Sequence, residues 1–418
     1  MSQANPIIVV TGANGGVGFG ICERLLLQLS SREPSDALPQ KALVSLWGSA
    51  LNKAPPIFDT QGMTLIMACR SRSKAEIART KLYETLDAHI KKQRKLPGYD
   101  GHADLFREGL KIEIHYLDLA VIQSVLRFGT ELSQKYPYVS HLICNAGVVS
   151  MGGINLPKAI WQLCTDFIGA VTAPDYFFHT LGKLSADGLG WVWQCNVFGH
   201  YCLFRSLQPL LSASKPSLGA RVLWTSSIEA SPTACVPGDW QLIQTEYSYA
   251  AAKYQMELIA THLDGLATEE APRGAAVNIR HVIVQPGVAY TNIDSLLVSW
   301  FTNAIKIMTF YIARMLGSPN HTIQVYKAAF AAVHLSLISL TFFPAFYPSP
   351  TKSTANGNGD ASEPQPIRFK SETDRWGTER VGVGPILGWD EHEEDSKKLV
   401  EECEKLYQQF RGTERTES

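Results

Sequence analysis

The chain has 418 residues, 45% hydrophobic and 18% charged, an ordinary globular balance long enough for one large core or one domain with insertions. A formal net charge of −1 excludes the whole-chain basicity that draws proteins to nucleic acid. Its eight cysteines (Cys22, Cys69, Cys144, Cys164, Cys195, Cys202, Cys235 and Cys403) include no CxxC pair, which argues against a zinc site or disulfide framework and suits a reducing compartment.

The opening residues, MSQANPIIVV, lack a basic stretch followed by a long apolar run, so no signal peptide is expected. Residues 6–11 (PIIVVT) predict a β-branched strand ending at a glycine cluster, and 17–29 a helix with Val17, Ile21, Leu25 and Leu29 on one face. A strand over 63–69 and a charged helix over 74–93 follow. Strands at 110–117 and 139–144 flank another helix. A long helix over 190–211, a strand at 221–225, a helix at 249–263 and a strand at 277–284 continue the alternation. That order predicts an α/β, Rossmann-type doubly wound parallel sheet in a single domain, with ligands at the carboxyl ends of the strands.

The catalytic domain is expected over 6–291, with surface insertions at 31–61 and 148–187. Residues 349–366 (SPTKSTANGNGDASEPQP) are almost free of large apolar side chains, so they are expected to be a disordered linker. A last strand and a charged C-terminal helix fall within 367–410. Between these lie two apolar segments, making 292–345 a substrate lid with membrane-associating helices. Residues 296–316 carry Lys306 and Arg314, costly at a bilayer centre, so a helix lying on the membrane is expected rather than a span. Residues 328–343 predict a core helix.

Thr11-Gly12-Ala13-Asn14-Gly15-Gly16-Val17-Gly18 joins the first strand to the first helix. Glycines there let the backbone turn sharply and let a pyrophosphate approach the positive end of the helix, making Gly12, Asn14, Gly16, Val17 and Gly18 cofactor candidates. Cys69-Arg70-Ser71-Arg72 ends the second strand with no acidic residue between Met63 and Lys74. An arginine at that tip pairs with the 2′-phosphate of NADP, so NADPH is the expected cofactor, with Arg70 on the phosphate and Arg72 starting a solvated helix. Asp118-Leu119 ends the third strand, where the carboxylate either meets the adenine amino group or caps a helix. Asn145-Ala146-Gly147 ends the fourth and floors the cleft.

Tyr249 and Lys253 stand at i and i+4 on one helix face. A free phenol titrates near ~10, and a nearby cation is expected to lower it toward the working range. Tyr247 has Ala251 at i+4 and cannot substitute. Ser227, with Ser226 as competitor, is placed to donate to a substrate carbonyl. Asn196, polar in an apolar helix, either faces solvent or binds a water feeding protons toward Lys253. Pro286, Gly287, Val288 and Thr291 follow the sixth strand, where backbone amides and the threonine hydroxyl would meet the nicotinamide carboxamide.

Together TGxxxGxG at 11–18, NAG at 145–147, Asn196, Ser227, YxxxK at 249–253 and PGxxxT at 286–291 resemble the short-chain dehydrogenase/reductase superfamily. The resemblance implies catalytic roles for Ser227, Tyr249, Lys253 and Asn196, with Lys253 also holding the nicotinamide ribose. The segments DGLG…NVFGHY (187–201), VLWTSSIE (222–229) and Ser371…DRWG (374–377) further resemble its fungal 3-keto-steroid reductase branch. That implies reduction of a 3-ketosterol to the 3β-alcohol after C-4 demethylation, in ergosterol synthesis. It also implies an endoplasmic reticulum or lipid-droplet membrane and partners among the demethylation enzymes. One departure is the 22 positions from Ser227 to Tyr249, where many superfamily members have about a dozen; the intervening residues must loop out. The alternatives are a carbonyl reductase for another lipid or polyketide ketone, or a scaffold for sterol-synthesis enzymes.

Overall fold

The computed structural model describes residues 5–47, 60–215, 218–269, 279–290, 300–339 and 365–417. Strand β1 (Ile7–Thr11) leads into α1 (Gly16–Leu29), then a short α2 (Lys41–Trp47), β2 (Thr64–Cys69), α3 (Arg72–Gln93), α4 (His102–Glu108), β3 (Lys111–Tyr116), α5 (Ile122–Lys135) and β4 (His141–Cys144). An inserted unit holds β5 (Met151–Ile154), α6 (Leu156–Thr165), α7 (Phe167–Thr172) and β6 (Phe177–His179). One continuous helix follows, as α8 (Trp191–Trp193), a π turn (Gln194–Phe198) and α9 (Gly199–Ser212). The chain continues through β7 (Arg221–Thr225), α10 (Ser248–Glu269), β8 (Arg280–Gln285), α11 (Trp300–Met315), α12 (Val325–Ala328), α13 (Phe330–Leu337), β9 (Ile367–Thr373), β10 (Glu379–Pro385) and α14 (Trp389–Glu417).

The main sheet runs β3-β2-β1-β4-β7-β8-β9-β10, parallel throughout except for the terminal β9–β10 hairpin. Strands β1, β4, β7 and β8 are buried along their whole length. Burial on both faces is why they read as continuous apolar runs rather than alternating ones. One core, including Ile66, Phe128, Phe198 and Trp224, fills one face under α5, α9, α10 and α14. The other, including Ile21, Leu25, Leu82 and Val333, fills the opposite face under α1, α3 and α13.

Several boundaries differ from the sequence expectation for physical reasons. The described start of the 31–61 segment is mostly exposed or half-buried, but Asp36 anchors it in the fold. Asp36 is buried, its carboxylate pairs with Arg24 of α1, and its carbonyl accepts from His334 of α13 at 2.6 Å. Residues 48–59 lie outside the described residues. The core helix expected over 328–343 breaks at Ala329 into α12 and α13; every residue of α13 is buried, as a core helix requires, and 340–343 lie outside the described residues. The linker 349–366 lies outside them too, apart from its last two residues.

The last strand does not end the sheet. Asp374 turns it back, its carboxylate accepting from the Trp376 and Thr378 amides at 2.9 and 2.8 Å, with Gly377 at φ +87°. The Asp374-Arg-Trp-Gly377 segment is therefore a hairpin turn requiring a glycine at its left-handed position. Among the described residues, no helix is long and apolar enough to cross a membrane.

Candidate active site

A cleft of about 630 Å3 opens at the carboxyl ends of β1, β2, β3, β4, β7 and β8. Gly12 and Gly16 hold φ +67° and +52°, so the turn after β1 takes the left-handed conformations that glycine tolerates. Helix α1 starts behind Gly15 with no side-chain cap and no acidic residue in its first turn. Its leading amides are thus left for a ligand, and the helix dipole favours an anion there. A pyrophosphate fits this cradle.

Arg70 and Lys74 line the cleft beside Ser71, and Arg70 is exposed. Arg72 reaches toward Glu76 at 3.8 Å and is 83% exposed, the solvated helix start expected of it. The cationic tip of β2 fits a 2′-phosphate. Asp118 lines the cleft with Leu119, and its carboxylate accepts the Ala120 amide at 3.0 Å, closing a turn before α5 instead of capping that helix.

Thr11 ties β1 to β4: its hydroxyl accepts the Asn145 and Ala146 amides at 2.8 and 2.9 Å, while the Asn145 side chain donates to the Thr11 carbonyl at 3.0 Å. Asn145, Ala146 and Gly147 consequently floor the cleft with a braced backbone. Gly18 does not line the cleft. A Cβ there would lie 2.4 Å from the Gly12 carbonyl oxygen, so it serves close packing beneath the turn.

Tyr249 and Lys253 both line the cleft, on the first turns of α10. The Lys253 ammonium sits 5.8 Å from the Tyr249 ring centroid and donates to the Thr225 carbonyl at 2.6 Å. Ser227, at the tip of β7, lines the cleft with Tyr249 and accepts the Glu229 amide at 3.2 Å. Ser226 is committed elsewhere, donating to the buried Glu257 carboxylate at 2.5 Å, with Arg368 of β9 on the same oxygen at 2.9 Å. The tertiary geometry separates the two adjacent serines by where their hydroxyls point.

The electrostatics differ from the sequence expectation. The Tyr249 phenol is raised above its ordinary range, not lowered: burial acts first, the Glu229 charge second, and the Ser227 hydrogen bond pulls the other way. Lys253 is brought down to about 8 by burial, opposed by Cys144 and Glu257. A tyrosine in this setting holds its proton at neutral pH, while the lysine stays largely charged.

Asn196 lies in the π turn, behind the cleft wall. Its amide donates to the Val148 carbonyl and accepts the Val148 amide, both at 2.8 Å. The side chain holds the 145–148 loop and is buried, so it does not face solvent. Pro286, Gly287 and Val288 line the cleft, but the Val288 amide already donates to the Asn320 carbonyl at 2.6 Å. That amide is not available to a carboxamide. Thr291 lies outside the described residues.

Among the cleft residues that sequence reasoning passed over are Lys74, Gly15 and Glu229. The basic run after β2 signalled the first. Nothing local marked Glu229, because its proximity to Tyr249 depends on how the 228–247 loop returns. That loop is anchored by Asp239, whose carboxylate accepts the Ile243, Gln244 and Thr245 amides at 2.8 to 2.9 Å.

No family model matches the chain. It is 29% identical over 408 residues to the 3-keto-steroid reductase of Schizosaccharomyces pombe, covering 96% of each chain. It is 27% identical over 415 residues to that of Aspergillus fumigatus, covering 92% of this chain and 83% of the relative. To the Saccharomyces cerevisiae 3-keto-steroid reductase it is 32% identical over 234 residues, which is 56% of this chain and 64% of the relative. Among solved structures, an NADP complex of RhlG from Pseudomonas aeruginosa aligns with 82% of this chain and 93% of its own, at 15% identity and a TM-score of 0.48.

Proposed function

We propose that this chain, a relative of the fungal 3-keto-steroid reductases built on the short-chain dehydrogenase/reductase fold, reduces the ketone of a 3-ketosterol to the 3β-alcohol with NADPH. The observation that carries this reading is the joint placement of Ser227, Tyr249 and Lys253 on the wall of a dinucleotide-shaped cleft.

When bound, NADPH supplies the hydride. Arg70 and Lys74 would hold its 2′-phosphate, the amides leading α1 would take the pyrophosphate, and Asp118, Leu119 and the 145–147 floor would contain the adenosine side. Pro286, Gly287 and Val288 close the nicotinamide end. Ser227 donates to the substrate carbonyl oxygen, polarising it. Tyr249 hands its phenolic proton to that oxygen as the carbon is reduced. A phenol raised above its ordinary range is loaded at neutral pH, as a proton donor must be. The charged Lys253 stabilises the phenolate left behind and holds the nicotinamide ribose. Asn196 acts as a positioning residue, keeping the 145–148 loop against Lys253.

The substrate class supports a membrane reading. On α11, Ile305, Met308, Tyr311, Ile312 and Met315 are exposed at the spacing of one face. On the insertion, Leu156, Ile160 and Trp161 are exposed as well, and α7 of that insertion packs against α11. This apolar rim beside the cleft would lie on the endoplasmic reticulum or a lipid droplet, admitting a sterol without exposing it to water. The sterol C-4 demethylation enzymes are the partners of this reading, since their product is the ketone; co-precipitation from a sterol-synthesising strain tests that.

The function is tested with purified protein, NADPH and a 3-ketosterol in mixed micelles, following cofactor absorbance and the sterol product. Turnover is expected, and Tyr249→Phe should lower it by about a hundred- to ten-thousand-fold at an unchanged Tm. A wild-type protein that consumes no NADPH with this substrate, or a phenylalanine variant that keeps its rate, overturns the reading.

A further inference from the structure

Strand β7 loses its partner on one side before it reaches Ser227. Its pairing with β4 ends at Cys144 and Trp224, so Thr225, Ser226 and Ser227 run on past that ladder. On the other side, β8 holds Thr225 opposite Val284, and the Ser226 amide donates to the Val284 carbonyl at 2.8 Å. Helix α10 supplies further ties from two residues one turn apart. Lys253 donates to the Thr225 carbonyl at 2.6 Å, and Glu257 accepts the Ser226 hydroxyl at 2.5 Å, a length typical of a charge-assisted bond. Arg368 of β9 donates to the same Glu257 oxygen at 2.9 Å. We propose that Glu257, held by Arg368, is a positioning residue acting through Ser226 on Ser227: it fixes the end of β7 so that the Ser227 hydroxyl stays at the ketone oxygen. This rests on the ketone-reductase reading above.

The Glu257 side chain is fully buried and that of Arg368 is 11% exposed. The second Glu257 oxygen and the Arg368 Nε are buried without a hydrogen-bond partner among the described residues. A buried ion pair with unused hydrogen-bonding capacity contributes little to stability over apolar side chains of similar volume, because desolvation offsets the attraction. What the pair supplies here is direction. A carboxylate only accepts, so it fixes the Ser226 hydroxyl as its donor and removes it from competition for the substrate oxygen. The Ser227 oxygen accepts the Glu229 amide at 3.2 Å, which leaves its own proton to be donated to the ketone. A hydrogen bond to a reacting oxygen tolerates little displacement: a shift of about 1 Å can cost about a hundredfold in rate.

The test uses Ser226→Ala, and Glu257→Gln combined with Arg368→Met so that no buried ion is left without its partner. Each is made in the wild-type protein and in Ser227→Ala. Rates are followed with NADPH and a 3-ketosterol at saturation, with the NADPH dissociation constant and Tm measured alongside. In the wild-type background both changes should lower kcat about ten- to a hundredfold at an unchanged NADPH dissociation constant. In the Ser227→Ala background neither should lower it further, because the residue they act through is gone. A merely structural role would lower the rate equally in both backgrounds. Ser226→Ala removes a single hydroxyl and leaves the ion pair intact, so it decides the question where the charge-pair variant folds poorly. A wild-type kcat for Ser226→Ala, or equal falls in both backgrounds, overturns the proposal and leaves the reductase reading standing. A wild-type protein without NADPH-dependent ketosterol reduction overturns the reductase reading itself.

Discussion

Replacing Gly18 with alanine adds one methyl group beneath the dinucleotide turn. The new Cβ would lie 2.4 Å from the Gly12 carbonyl oxygen and 2.5 Å from the Asn145 side-chain nitrogen, both far inside van der Waals contact. Neither atom is free to retreat. Gly12 donates to the Ala68 carbonyl at 2.9 Å, and the Asn145 side-chain amide donates to the Thr11 carbonyl at 3.0 Å. The turn and the floor must therefore separate, at the cost typical of an overpacked core, about 1–3 kcal/mol. If the same displacement spoils the pyrophosphate cradle, NADPH affinity falls about tenfold for each 1.4 kcal/mol. Thermal unfolding and NADPH fluorescence titration measure the two effects. Gly15→Ala is the contrasting variant: it has extended backbone at φ −177° and nothing within 4 Å of an added Cβ, so its Tm should match wild type. A Gly18→Ala protein with wild-type Tm and wild-type NADPH affinity would refute the packing argument.

Two further outcomes are expected. Arg70→Ala should lower kcat/KM with NADPH by about 10- to 100-fold, the worth of a lost charged hydrogen bond, and barely change it with NADH; equal losses for the two cofactors would remove Arg70 from the 2′-phosphate. Met308→Glu with Ile312→Glu on α11 should reduce co-flotation with sterol-bearing phospholipid vesicles while turnover in detergent micelles persists, and undiminished flotation would sink the membrane reading.

The main elements were legible because they are locally encoded. A buried parallel strand is a short β-branched run, and β1, β7 and β8 read that way at sight. The glycine turn and the Tyr249–Lys253 spacing are likewise local, since a helix places i and i+4 on one face. The first strand of the β9–β10 hairpin was expected, but its return strand went unread, because the turn signal is a lone aspartate whose bonds reach only two and four residues ahead. The 31–61 segment was expected as a surface insertion, and nothing local showed that Asp36 within it is buried, because α1 and α13 bring Arg24 and His334 to it, from 12 residues before and 298 residues after.

The site divides along the same line. Residue types and order along the chain determined that a dinucleotide turn, a cationic strand tip, a serine, a tyrosine and a lysine would meet at the strand ends, because a doubly wound sheet gathers those ends on one edge. Only the tertiary structure decided that Ser226 serves Glu257 while Ser227 lines the cleft with Tyr249, that the Asn196 amide holds Val148, and that Tyr249 is raised by burial, and next by Glu229, instead of lowered by Lys253. Spacing along a chain sets which face a side chain leaves from. The direction of a hydroxyl and the sign of a local field depend on burial and on partners from distant segments, and those exist only once the chain has closed on itself.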